Sequence, residues 1–294
     1  MSRVLRPAIP RRLPSGVAWG FLVLPGALYL LFFYVWPVVD MAARSVTDPQ
    51  PGIANFQAVA NSAVDIGALA LTLRTAAVVT VVCLLLGYPL AYLIVVAPPR
   101  VAGALLSLML VSLWLSLVAR TFAWEVILRD TGIINNLLIG WGIVETPVGL
   151  IRTPLAVTVG MTQVLLPTMV LPMYVVMSRI DRELGHAAAG LGATPWASFV
   201  HVFLPLSLPG VLAGSLLVFV LSLGYYITPL LLGGGSSLMI GQLVVDSVEH
   251  GEWGYASAIA VVLLAMVIGG LLFASRFIRL GSLVGASFRI GADE

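Results

Sequence analysis

The sequence predicts an all-α membrane protein with six transmembrane helices and both termini in the cytoplasm. Hydrophobic residues make up 60% of the 294-residue chain and charged residues 10%. Its mean hydropathy is +1.06. Six apolar stretches each reach the roughly 20 residues that a hydrocarbon core about 30 Å thick requires. A soluble domain carries about 25% charged residues, enough to cover its water-facing surface. Here only a bilayer is a suitable solvent.

The stretches lie near 17–38, 68–97, 101–123, 154–178, 203–233 and 256–278. They divide the chain into a cytoplasmic tail at 1–16, a membrane domain at 17–280 and a second cytoplasmic tail at 281–294. The first stretch follows Arg3, Arg6, Arg11 and Arg12. Its apolar run exceeds the roughly 7–15 residues of a signal-peptide core, so it is expected to be a retained anchor helix. The second and fifth stretches are longer than a bilayer needs and are expected to tilt, kink or project. Pro89, Pro172 and Pro209 are the expected kinks.

Arginine placement sets the orientation. All fifteen basic residues are arginine. With the N-terminus inside, ten fall on the cytoplasmic side and five on the outer side: Arg44, Arg74, Arg120, Arg129 and Arg152. The inverted arrangement reverses that ratio. Most acidic residues fall outside, from Asp40 to Glu252.

The same inventory excludes several functions. A net charge of +2 does not argue for nucleic acid. Cys83 is the only cysteine and reads as a buried apolar side chain, so no disulfide framework exists within one chain. His186, His201 and His250 are scattered, with no HExxH, and no metal site is expected. No P-loop is present, and the glycine-rich 231–237 reads as a flexible turn. No charge lies near the centre of a span, where Arg or Asp costs roughly 2.5–3.5 kcal/mol. Arg74 and Arg120 are therefore expected near an interface or against a wet cavity. The lack of buried ionisable groups and of inverted repeats argues against an ion-coupled secondary transporter.

One polar segment stands out. From Ser178 the chain reads SRIDRELGHAAAGLGATPWASFVHVFLPLSLPG. Asp181 is placed to cap a short helix, with Glu183 in its first turn. Leu184, Ala187, Ala188 and Leu191 recur at helical spacing and form a small apolar stripe. Gly192 can end that helix, and Thr194–Pro195 can start another. Trp196 and Phe199 are candidate anchors. A connector resting on lipid headgroups has the same periodicity. The small Ala-rich stripe is better suited to close packing against a protein partner.

The segment resembles the cytoplasmic loop of binding-protein-dependent ABC import permeases. That pattern runs E-A-A, three residues, G, nine residues, I, one residue, L-P. Here its positions are His186, Ala187, Ala188, Gly192, Val202, Leu204 and Pro205, without a gap. LLLGYPLAYLI (84–94), LVARTFAWEVILRDTGIINNLL (117–138) and LPGVLAGSLLVFVLSLGYYITPLLLGG (208–234) are similar to the spermidine/putrescine branch. Two departures stand: His186 replaces the usual Glu, and Val202 replaces Ile. Glu183, one helical turn earlier, could supply the missing charge.

The resemblance implies the type I ABC importer permease fold, with a coupling loop at 179–205, in the bacterial inner membrane. It implies a transport subunit rather than an enzyme, with no cofactor of its own and with ATP and Mg held by a separate ATPase dimer. The other implied partners are a second, related permease and an extracytoplasmic solute-binding protein. The expected solute is a polyamine or similar cationic amine. Ferric ion and amino-acid-like or opine-like compounds are the alternatives. Residues 181–205 would then contact the ATPase. Trp114, Arg120, Trp124, Glu125, Tyr225 and Tyr226 are the candidate solute path, since aromatic rings beside a carboxylate can pass an alkylammonium.

Overall fold

The computed structural model describes the backbone of residues 24–181 and 183–287, and the side chains of all of these except 236 and 273–287. The expected tail at 1–16, the start of the first span and residues 288–294 lie outside the described residues. Twelve helices follow one another: α1 (Leu24–Thr47), α2 (Ala54–Asn61), α3 (Ala63–Val96), α4 (Pro99–Trp114), α5 (Leu117–Leu128), α6 (Ile133–Gly140), α7 (Pro154–Met177), α8 (Glu183–Gly190), α9 (Pro195–Leu223), α10 (Ile227–Leu232), α11 (Ile240–Glu249) and α12 (Trp253–Ser287). No strand occurs among the described residues. Helices satisfy every backbone group internally, as hydrocarbon demands.

Local chemistry starts these helices. Ser62 accepts a hydrogen bond from Asp65 N at the head of α3, and Thr153 accepts one from Ala156 N at the head of α7. Pro154 and Pro195 follow their cap residues and lose no helical bond there.

Helices α3, α7 and α9 pack on one another to form the centre of the bundle. Helix α7 is the axis. Its Met161, Met169, Met173 and Met177 are fully buried, against Val79, Cys83 and Ile94 of α3 and Val218 of α9. Lipid gives helices little hydrophobic reason to associate, so close backbone approach through small residues must supply the packing. Gly210 and Gly214 of α9 provide it. A methyl group at Gly214 would lie 2.7 Å from the Met169 carbonyl oxygen, and one at Gly210 would lie 3.0 Å from Met173 Cα. The flexible methionine side chains fill what remains of the contact.

A second cluster joins the ends of α3, α11 and α12 through Ala68, Ile240, Ala258 and Ile259. The Thr72 hydroxyl accepts from Ile240 N at 3.0 Å and donates to Ala68 O. Tyr255 of α12 donates its hydroxyl to the buried Asp65. Helix α1 lies along α12 but leaves its apolar residues outward. Surfaces such as Phe32, Trp36 and Leu108 are those a lipid or partner helix would cover.

The helices depart from the expected spans in several places, and α1, expected to end near 38, runs on to Thr47. The 101–123 stretch is not one rod: α4 ends at Trp114 and the chain turns by 100° into α5. Ser116 causes the break by capping α5, accepting from Ala119 N. The 203–233 stretch starts earlier, at Pro195, stops at Leu223 and resumes as α10. The 231–237 turn is packed rather than free. Arg152, at φ 60°, donates its N–H to Leu232 O, and Gly234 lies against its backbone.

The α7–α9 contact yields a prediction. Gly214→Leu should force the helices apart and abolish recovery of folded protein from detergent. Gly103→Leu, on α4 with open space around it, should leave yield and thermal midpoint within a few degrees of the parent. Size-exclusion profiles of the two variants provide the check.

Candidate functional site

The polar segment folds as a helix–turn–helix at one end of the bundle. Asp181 Oδ1 accepts from Glu183 N at 2.9 Å and so caps α8. At the other end Ala193 N donates to Ala188 O, and Gly192 N donates to Ala189 O. This pair of bonds, with Gly192 at φ +90°, is a Schellman turn. Thr194 then caps α9 through Ala197 N at 3.2 Å. Gly185 faces Ser198, which brings α8 down onto the start of α9.

The motif leaves large apolar side chains outward. Leu191 is 91% exposed and Trp196 73%. Leu184 and Ala187 are also exposed, while Ala188 is half-buried. Glu183 and His186 are both exposed, one turn apart on α8. Pro195, Leu204 and Pro205 are not part of a loop. They belong to α9, which runs unbroken from beneath the turn into the bundle.

One feature here was not read from the sequence. The first turns of α9 are fastened to α3 by aromatic rings. Phe199 stacks on Trp196 and on Phe203, each with centroids 5.8 Å apart. Tyr92 meets Phe199 at 5.6 Å and Phe203 at 5.1 Å, edge to face, and Tyr88 meets Phe199 at 6.2 Å. One turn deeper the Tyr88 and Ser207 hydroxyls are 3.0 Å apart. The backbone from Phe199 to Phe203 is a π-turn, closed by Leu204 N on Phe199 O. Pro205 has no N–H for the His201 carbonyl, so a widened turn suits that place. The available signal was the four-residue spacing of residues 88 and 92 and of 199, 203 and 207.

The expected solute-path residues scatter. Trp114 ends α4 on the far side of the 100° bend and is 89% exposed. Trp124 is half-buried against the main core. Glu125 is paired with Arg129 at 2.6 Å, so its charge is already compensated. Tyr226 packs its Cβ against Gly241 of α11. Arg120 and Trp124 lie one turn apart on α5, and Arg120 and Tyr225 come from neighbouring parts of the bundle. They sit where two interrupted spans meet: Arg120 in the first turn of α5, Tyr225 in the break between α9 and α10. Thr121 and Thr228 hydroxyls, 3.4 Å apart, join the same two elements. Arg120 Nε and Nη1 are buried without an acceptor among the described residues, as is Gln163 Oε1 without a donor on α7.

A bundle of long apolar helices bearing an exposed helix–turn–helix defines an integral-membrane protein. Residues 84–280 match the family model for the binding-protein-dependent transport system inner membrane component. The chain therefore belongs to that family. It is 34% identical over 202 residues to the spermidine/putrescine transport system permease protein PotB of Escherichia coli K12, covering 68% of this chain and 73% of that one. It is 31% identical over 275 residues to the molybdenum transport system permease protein ModB of Mycobacterium bovis, covering 92% and 97%. The fold also matches a chain of a bacterial alginate ABC transporter crystallised with an alginate pentasaccharide-bound periplasmic protein. There the TM-score is 0.71 at 18% identity, over 90% of this chain and 94% of that one. The protein is thus a multi-pass inner-membrane transport subunit of the ABC permease class, not an enzyme. ATP hydrolysis in such systems resides in a separate subunit.

Arg120 provides the test of this cluster. An unpaired buried polar group costs about 1–3 kcal/mol, and Arg120 carries two such nitrogens among the described residues. Arg120→Met should raise the thermal midpoint of the purified protein and lower solute uptake at least tenfold. Differential scanning fluorimetry and vesicle uptake would measure the two effects.

Proposed function

We propose that this chain forms half of the translocation pore of an ATP-driven importer for a small cationic amine of the polyamine class. Supporting the solute is the resemblance to permeases whose names give spermidine and putrescine. The second half of the pore is a related permease, and an extracytoplasmic binding protein delivers the solute. Both termini and the helix–turn–helix lie in the cytoplasm, supported by the ten-to-five arginine distribution. A cytoplasmic ATPase dimer, holding ATP and Mg, grips α8 and the start of α9. ATP binding draws the two loops together and opens the pore outward, and hydrolysis resets it. This is rigid-body switching about packed interfaces.

The observation that carries the reading is the exposure of the large apolar side chains of Leu191 and Trp196 at that end. Burying a Leu of this kind contributes about 1.5–3 kcal/mol, and each 1.4 kcal/mol is about a factor of ten in affinity. Leu191→Asp should therefore reduce ATPase co-purification at least tenfold while the permease stays monodisperse. Unchanged ATPase retention would reject the docking role.

The motif's acidic role passes to Glu183. The imidazole of His186 cannot hold a cation as a carboxylate does. Glu183→Gln should lower transport-linked ATP hydrolysis more than His186→Gln, and equal or reversed effects would reject this assignment.

A specific observation favours a second solute class. The proposed pathway offers a free guanidinium at Arg120 and no free carboxylate beside it, since Glu125 is paired. One similar permease is named for molybdenum. That reading makes the solute an oxyanion. Titrating the cognate binding protein with spermidine, putrescine, ferric ion and molybdate separates the two: micromolar binding of amines alone supports the first reading, and of molybdate alone the second.

A further inference from the structure

We infer that Phe199 is a positioning residue that carries displacement of the cytoplasmic loop into α3 through Tyr92 and Tyr88. The inference rests on the proposal that the ATPase grips this loop. It addresses what that proposal leaves open, namely how a push outside the membrane reaches the pore.

Helix α8 does not deliver the push directly. A cavity of about 530 Å³ lies between it and the end of α3, bounded by Leu184 and Ala189 on one side and Tyr92 and Val96 on the other. Helix α8 packs instead on the start of α9 and its π-turn. Load therefore enters α9. This helix has 29 residues and a length of about 43 Å, so it can act as a lever running from the loop into the core. Trp196 is its exposed handle, and its ring lies at 23° to Phe199.

Phe199 is where the load divides. It touches Trp196 and Phe203 on its own helix and Tyr88 and Tyr92 on α3. The contacting residues repeat every four positions on both helices, so the rings form one ridge seated in another. Offset-stacked and edge-to-face rings at these separations resist sliding more than aliphatic contacts do, because their quadrupoles fix the angle. The Tyr88–Ser207 bond adds a directional tie one turn deeper. Together they make α3 follow α9. The π-turn beneath Phe199 is a place near the loop where the backbone of α9 can change pitch, so the rings must hold this point for the lever to act as one piece.

The test uses the whole complex in proteoliposomes, with solute uptake and ATP hydrolysis measured together. Phe199→Leu keeps an apolar side chain and removes the ring contacts. It should retain the ATPase subunits and lower solute moved per ATP hydrolysed at least about fivefold. Phe199→Tyr should restore the ratio to within twofold. Tyr92→Leu, on the opposite side of the contact, should give the same loss, and the double variant should lose no more than either alone. An unchanged ratio in Phe199→Leu with ATPase bound overturns the proposal. So does loss of the ATPase from that complex, which would make Phe199 part of the docking face. Failure of both single variants to assemble, read by size-exclusion, assigns the rings to folding alone and also overturns it. Retention of the ATPase by Leu191→Asp is a separate result that rejects the docking reading.

Discussion

The backbone contact between α7 and α9 underlies the rest of the molecule. In hydrocarbon, apolar side chains gain little by facing one another, so helices associate through close van der Waals approach. Gly210 and Gly214 permit that approach, and Met169 and Met173 shape themselves to it. Helix α3 then seats on both, with Gly87 meeting the same methionines. A firm three-helix centre allows motion at one end to arrive at the other without being absorbed as local repacking.

Two interrupted spans surround this centre. Ser116 starts α5 after a sharp bend, and residues 224–226 separate α9 from α10. Broken helices are tolerated at membrane depth where neighbouring protein or a wet cavity satisfies the freed groups. Here α11 closes against Tyr225 and Tyr226 through Gly241, and the paired threonines tie α5 to α10. Arg120 stands at this junction with two nitrogens unmatched. Buried nitrogens without a partner cost stability.

The helix–turn–helix at the opposite end follows a different logic. Its fold is local: an Asx cap, a Schellman turn and a Thr–Pro start define it within fifteen residues. Its outward side carries Leu191 and Trp196 as well as Glu183 and His186, and Gly185 faces the start of α9. The aromatic ridge of α3 and α9 joins this compact surface feature to the core.

The sequence by itself determined the solvent, the number of apolar stretches, the cap at Asp181, the turn at Gly192 and the start at Thr194. Each of these depends on composition or on neighbours within a few residues, where backbone sterics and hydrogen bonding are local. Hydropathy alone ran α4 into α5 and α9 into α10, because an apolar run does not record direction. The Ser116 cap was the available signal for the first break. Only the tertiary structure decided that the Thr121 and Thr228 hydroxyls meet, and that Tyr88 and Tyr92 face Phe199, each across more than a hundred positions. Those facts depend on which faces of distant helices meet. That choice is set by close packing around Gly210 and Gly214, and no local pattern encodes it.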